Sequence, residues 1–178
     1  MRRTARPHDP SGEAIRLLKD LQIIKPPIPV EKVARHIQAE VRFSPLDDEI
    51  SGMVFVKKGV PVIGVNSMHH PNRQRFTIAH EIGHLILHRD IVESSVHVDK
   101  EYRVLMRDPN ASRGIHKIEI AANQFAAELL MPRSLLEPML QGKVFDLDDE
   151  TWLETLSRRF RVSKQAMSHR LNTFLLFA

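Results

Sequence analysis

The 178-residue sequence predicts an α+β fold: a small antiparallel β-sheet packed with helices and followed by a helix-turn-helix-like helical appendage. Three observations predict it. Apolar residues recur with helical spacing at both ends of the chain. Short apolar runs of strand length, two of them joined by Lys57-Lys58-Gly59, fill residues 39–65. The charge balance then changes near residue 150. Residues 1–150 carry 21 Lys/Arg and 21 Asp/Glu, whereas residues 151–178 carry Arg158, Arg159, Arg161, Lys164 and Arg170 against Glu154 alone. The whole excess of +4 therefore lies in the last 28 residues, just after the acidic cluster Asp146, Asp148, Asp149 and Glu150.

The first predicted helix spans residues 11–22, with Ser11 as N-cap and Ile15, Leu18 and Leu21 as its apolar stripe. Pro26, Pro27 and Pro29 stop it, and a short helix follows over Val30 to Ile37. Residues 39–43 and 50–56 read as strands, and Val60 to Val65 returns as the second arm of a hairpin. Pro61 inside that arm predicts an edge position, because proline cannot donate to a ladder. Pro71 suits the first position of a helix running to Arg89. Residues 90–114 read as irregular, with short strands near 95–98 and 102–106. A strong helix covers Ile115 to Met131, a shorter one 133–141, and two more lie near 150–160 and 163–174. The expected organisation is an N-terminal tail over 1–14, a main domain over 15–142 and the appendage over 143–178.

Composition excludes several classes. There is no cysteine, hence no disulfide scaffold, thiol nucleophile or thiolate-held metal. The longest apolar run is five residues, Phe174 to Ala178, against about 20 needed for a membrane-spanning helix. Met1-Arg2-Arg3 is followed by no apolar signal-peptide core, so a cytoplasmic protein is expected.

The helix from Pro71 contains His80-Glu81-Ile82-Gly83-His84. Residues four apart share a helix face, so both imidazoles can bind one metal while Glu81, the adjacent carboxylate, serves as base to an activated water. Phe76, Ala79, Ile82 and Ile86 are then expected on the opposite, core-facing side. The alternative is a solvated polar helix face. A catalytic zinc usually has three protein ligands and one open position. One variant of the motif places a third His ten residues after the first, but here that position is Asp90, and Leu87 stands where that variant carries Gly. The other variant takes a Glu from a later helix, and Glu119 lies 35 residues beyond His84 on the strongest one; its alternative is an exposed helix charge. Asn123, one turn on, is placed to orient a ligand. His88 can orient substrate or satisfy the last carbonyls of its own helix. Tyr102, the only tyrosine, can stabilise an oxyanion or simply wall the cleft. Zinc suits such a donor set best, with manganese or another divalent ion also accommodated.

Together, Arg73-Gln-Arg-Phe-Thr-Ile-Ala-His-Glu-Ile-Gly-His-Leu-Ile-Leu-His88 and Glu119-Ile-Ala-Ala-Asn-Gln-Phe-Ala-Ala-Glu-Leu-Leu-Met-Pro132 resemble the ImmA/IrrE family of zinc metallopeptidases. Ile63-Gly-Val-Asn66 and Leu156 to Leu171 are similar to that family too, and the resemblance covers about residues 15–175. It implies a gluzincin-like endopeptidase of bacterial or phage origin, with His80, His84 and Glu119 holding zinc and Glu81 as general base. The implied substrate is a helix-turn-helix repressor or anti-repressor whose cleavage switches genes on under stress. The strand ending at Asn66 would be the edge that receives the substrate backbone. Any DNA-binding regulator is expected to be a separate protein.

In the basic tail, Leu153, Leu156, Phe160, Val162, Met167 and Leu171 space out two short helices, with Ser163 as N-cap of the second. Arg161 occupies a turn position that favours glycine. Lys164 and Arg170 on the second helix, with Arg158, Arg159 and Arg161, can meet nucleic acid, dock a partner protein, or form a solvated cap on the core. A non-proteolytic regulator acting through these helices is the alternative function.

Overall fold

Pro10, not Ser11, opens the first helix, α1 (Pro10–Asp20): Asp9 is the N-cap and its Oδ1 accepts from the Ser11 backbone N–H at 3.1 Å. Proline tolerates the first helical position because that N–H has no partner in the helix. The computed structural model describes residues 9–94, 97–100, 109–140 and 150–175. Helix α1 and the short α2 (Val30–His36) both end on a left-handed residue, Gln22 (φ 52°) and Gln38 (φ 61°), which lets backbone amides reach back to the last carbonyls.

Four strands follow: β1 (Glu40–Ser44), β2 (Ile50–Lys57), β3 (Val60–Asn66) and β4 (His97–Lys100), in the order β1-β3-β2-β4. Lys58 and Gly59, both at positive φ, form the two-residue turn between β2 and β3, as a hairpin whose turn matches strand twist requires. The β2–β3 and β2–β4 pairs are antiparallel, as expected, but β1 pairs with β3 in parallel, so the sheet is mixed. The strand after Ser44 does not fold back on β1. It lies one position further out, leaving β3 between them.

The edge position expected for β3 is thereby corrected. The strand is interior, not an edge. Pro61 is tolerated because the β1 ladder begins only at Val62, opposite Glu40. Lys57 and Val60 close the tight turn, so the next pair, Val56 and Pro61, is a non-hydrogen-bonded one in which proline's missing N–H would face away from β2.

Helix α3 (Pro71–Leu87) crosses beneath β2 and β3. Short α4 (Arg89–Ser94) follows within the stretch expected to be irregular. Helix α5 (Pro109–Leu130) starts six residues before its expected beginning and packs on both α3 and α1. The expected strand near 102–106 and Tyr102 lie outside the described residues. Helices α6 (Arg133–Leu140), α7 (Glu150–Phe160) and α8 (Lys164–Leu175) follow among the described residues.

The core gathers Leu17 and Leu18 of α1, Val54 and Ile63 of the sheet, Ile78, Ala79 and Ile82 of α3, and Phe125 and Leu129 of α5, all buried. Fully burying each of these Val, Leu, Ile or Phe side chains contributes about 1.5–3 kcal/mol. Two glycines set the layer spacing. A Cβ on Gly83 would stand 3.1 Å from the Phe125 ring and 3.3 Å from the Ala122 backbone, so α3 and α5 touch there. A Cβ on Gly52 would overlap Thr77 Cγ2 and lie 2.8 Å from the Gly64 carbonyl oxygen, so β2 presses directly on α3. Among the described residues no helix is long and apolar enough to cross a membrane.

Candidate metal centre

His70 caps α3, its Nδ1 accepting from Asn72 N–H at 3.2 Å, and Pro71 takes the first turn. From that start the helix carries its polar motif into the protein interior. His80 is 2% exposed, Glu81 0% and His84 1%. A solvated helix face is therefore excluded. Burying two imidazoles and a carboxylate in a helix otherwise packed with Ile78, Ala79 and Ile82 is costly unless they serve each other or a shared ion.

They converge with Glu119. His80 Nε2 and His84 Nε2 are 2.9 Å apart, His80 Nε2 is 3.3 Å from Glu119 Oε2, and His84 Nε2 is 3.5 Å from Glu119 Oε1. Ligands at about 2.0–2.1 Å from one tetrahedral zinc would stand about 3.3–3.4 Å apart. The two imidazole–carboxylate distances are close to that separation and the imidazole–imidazole distance is shorter, and these three residues form a group able to hold a metal ion. The Glu119 side chain is only 14% exposed, not an exposed helix charge.

Two further contacts prepare the ligands. Asn123, one turn after Glu119, places its Oδ1 3.0 Å from His80 Nδ1. An amide oxygen only accepts, so the His80 tautomer protonated at Nδ1 satisfies this contact and leaves the Nε2 lone pair for the centre. Phe76 lies four residues before His80 and shares its face; the two rings stack at 6.3 Å between centroids. It was expected on the opposite, core-facing side. The i, i+4 spacing that joins His80 to His84 also joins Phe76 to His80, and could have shown it. Gly52 and Gly83 were likewise not singled out, since their role depends on which elements they touch.

Glu81 points toward the sheet: a Cβ on Gly52 would stand 3.6 Å from its Oε1. The base candidate is thus held against β2, beside the ligand next to it in sequence. His88 terminates α3, its backbone N–H donating to the His84 carbonyl at 2.9 Å, and its ring lies 5.7 Å from that of His84.

Asn66 is placed for architecture. It is fully buried; its Nδ2 donates to the carbonyls of Leu46, Asp47 and Ile50, and its Oδ1 accepts from Met68 N–H at 3.0 Å. It organises the β1–β2 connection, which is incompatible with receiving substrate at a sheet edge.

The basic residues divide. Arg170 turns inward: its side chain is 11% exposed, it forms an ion pair with Glu128, and its Nε donates to the Met131 carbonyl at 3.0 Å. It fastens α8 to the end of α5. Arg158 pairs with Glu154 at 2.6 Å and Lys164 with Glu150 at 3.7 Å, both at the surface. Arg159 and Arg161 are exposed. Arg161 takes φ 55° in the α7–α8 turn, the conformation glycine usually supplies, and Ser163 Oγ accepts from Ala166 N–H at 3.1 Å, capping α8 as expected. That turn is tied to α3: Asn72 donates to the Val162 carbonyl and Arg75 to the carbonyls of Arg161 and Ile28. Burial, and then the nearby Arg161 charge, lower the pKa of Arg75 from its usual value, with Glu31 opposing.

Residues 34–172 match the model of Peptidase_M78, the IrrE N-terminal-like domain. The radiation response metalloprotease IrrE of Deinococcus deserti is 41% identical over 80 residues, 44% of this chain and 25% of that protein. Its counterpart in Deinococcus radiodurans is 40% identical over 81 residues, 45% of this chain and 22% of that protein. The matched segment thus spans about a quarter of the length of these relatives. A solved structure of a Mycobacterium tuberculosis transcriptional regulator has a TM-score of 0.63, covering 92% of this chain and 46% of that one at 20% identity, a likeness of fold. With a family match from residue 34 to 172, the chain belongs to the IrrE N-terminal-like Peptidase_M78 family.

Proposed function

We propose that the chain is a zinc-dependent endopeptidase of gluzincin type. The observation that carries this is the convergence of buried His80 and His84 with Glu119, together with the fully buried Glu81 next to His80 in the sequence. His80 Nε2, His84 Nε2 and a Glu119 oxygen would hold the ion; manganese or another divalent ion fits the same donors. When bound, the metal supplies Lewis acidity to the scissile carbonyl and to the attacking water. Glu81 accepts the proton of that water and delivers it to the leaving amine. Asn123 keeps the His80 proton on Nδ1. Burial around Glu81 excludes bulk water and strengthens its charge–dipole interactions.

The substrate is proposed to be a protein, a helix-turn-helix transcriptional regulator in the cytoplasm, cleaved in a stress or mobile-element switch. The family and the stress-response names of the Deinococcus relatives support this. Because β3 is interior, a substrate backbone would add to β4, which borders the sheet on the β2 side where Gly52 and Glu81 meet. A non-proteolytic reading through the basic helices would have to act through Arg158, Arg159, Arg161 and Lys164, because Arg170 is committed to Glu128. The test is incubation of the protein with a repressor encoded beside it, with zinc or manganese added and then with chelator, read by mass spectrometry. Metal-dependent cleavage at one bond is expected; an intact repressor whose DNA binding nonetheless changes would favour the regulator.

A further inference from the structure

A groove of about 1090 Å³ runs between the α3–α5 layer and the α7–α8 pair. Its near wall carries Phe76 and Asn123, both of which also contact His80, so the groove adjoins the candidate metal centre through these two residues. Its floor is apolar, formed by Ala127, Met131, Val162 and Ala166. Its exposed rim carries Arg73, Arg158 and Lys164 with Glu154 as the sole carboxylate among the lining residues, while Arg170 borders it but is turned inward onto Glu128. Two exposed cations of residues 151–178, Arg158 and Lys164, therefore face this groove.

The walls are fixed to one another. Arg170 joins α8 to Glu128 and to the Met131 carbonyl, while Asn72 and Arg75 join the α7–α8 turn to α3. Such a preformed cleft binds without the cost of ordering its own elements. Arg158 and Lys164 meet their carboxylates at the surface, with side chains 79% and 52% exposed. Exposed pairs of this kind contribute little and exchange readily for another carboxylate.

We infer that this groove is the docking site for the substrate chain beside the scissile bond, and that it selects a peptide segment combining apolar side chains with carboxylates. The inference rests on the endopeptidase reading and deepens it. Apolar side chains would cover the Ala127, Met131 and Ala166 floor, and carboxylates would meet Arg158 and Lys164. The basic character of the C-terminal helices then serves substrate choice, not DNA.

The test uses the full chain carrying Glu81→Gln and loaded with zinc, so that probes are bound but not consumed. Two fluorescein-labelled peptides of equal length, one of Leu, Ala and Glu and the other of Leu, Ala and Lys, are titrated by fluorescence anisotropy. The acidic peptide is expected to bind about fivefold more tightly, the scale of two exposed charge contacts. Arg158→Glu with Lys164→Glu reverses the preference, and Ala166→Trp, which fills the floor, removes binding of both. Equal binding of the two peptides, a preference that survives charge reversal, or displacement of the acidic peptide by a short DNA duplex overturns the inference. Wild-type zinc protein assayed for hydrolysis separates the two claims. Hydrolysis without charge preference removes the groove and keeps the peptidase; charge preference without hydrolysis does the reverse.

Discussion

His80 Nδ1 and the Asn123 side-chain oxygen lie 3.0 Å apart across the α3–α5 interface. Helix α5 thus contributes twice to the same centre, through Glu119 as a ligand candidate and, one turn later, through Asn123 as the group that orients His80. Replacing Asn123 by Ala is expected to weaken zinc binding about 10–100-fold, the usual cost of losing such an orienting partner. Chelator competition measures it, and the melting temperature of the metal-free protein should hardly move. An unchanged zinc affinity would remove Asn123 from the account.

Gly52 sets how closely the sheet approaches Glu81. Gly52→Ala is expected to destabilise the protein by about 1–3 kcal/mol through overpacking, read from the urea midpoint. Adding Thr77→Ser relieves the overlap with Thr77 Cγ2 but not the approach to the Gly64 carbonyl oxygen, so recovery is partial. Full stability in the single variant would mean that β2 and α3 can separate at no cost.

Arg170 and Glu128 are a nearly buried ion pair, 11% and 6% exposed. Breaking such a pair from one side costs about 3–5 kcal/mol, because the remaining charge loses its partner. Arg170→Met should therefore lower stability by that order in chemical denaturation. The double variant with Glu128→Leu should recover part of the loss, since the Arg133 backbone N–H still forfeits the Glu128 acceptor. If Arg170→Met were neutral while weakening DNA binding, the inward role of Arg170 would be wrong.

The helices and the candidate metal-holding group were legible because both rest on local spacing. His80 and His84 are one turn apart on one helix, and the later Glu119 lies on the next strongly periodic segment. Strand order was not legible. Nothing in the residues between Ser44 and Ile50 announces that β2 skips a position and leaves β3 inside, and the mistaken edge role for Asn66 followed from that. The cations show the same limit. Arg158 and Arg170 read alike as charges, yet a carboxylate at Glu128, 42 residues away in sequence, draws Arg170 inward while Arg158 stays 79% exposed. The left-handed φ of 55° at Arg161 shows why an arginine can stand where glycine is favoured: its side chain points to solvent and its carbonyl accepts from Arg75.

The central claim is that Glu81 moves the proton at a metal held by His80, His84 and Glu119. The most direct measurement compares hydrolysis of one protein substrate by wild type and Glu81→Gln, each with its bound zinc quantified. Equal zinc content with cleavage reduced by about 10²–10⁴-fold is the expected result, the range of a lost general base. Undiminished cleavage by the zinc-loaded Glu81→Gln protein would contradict the account.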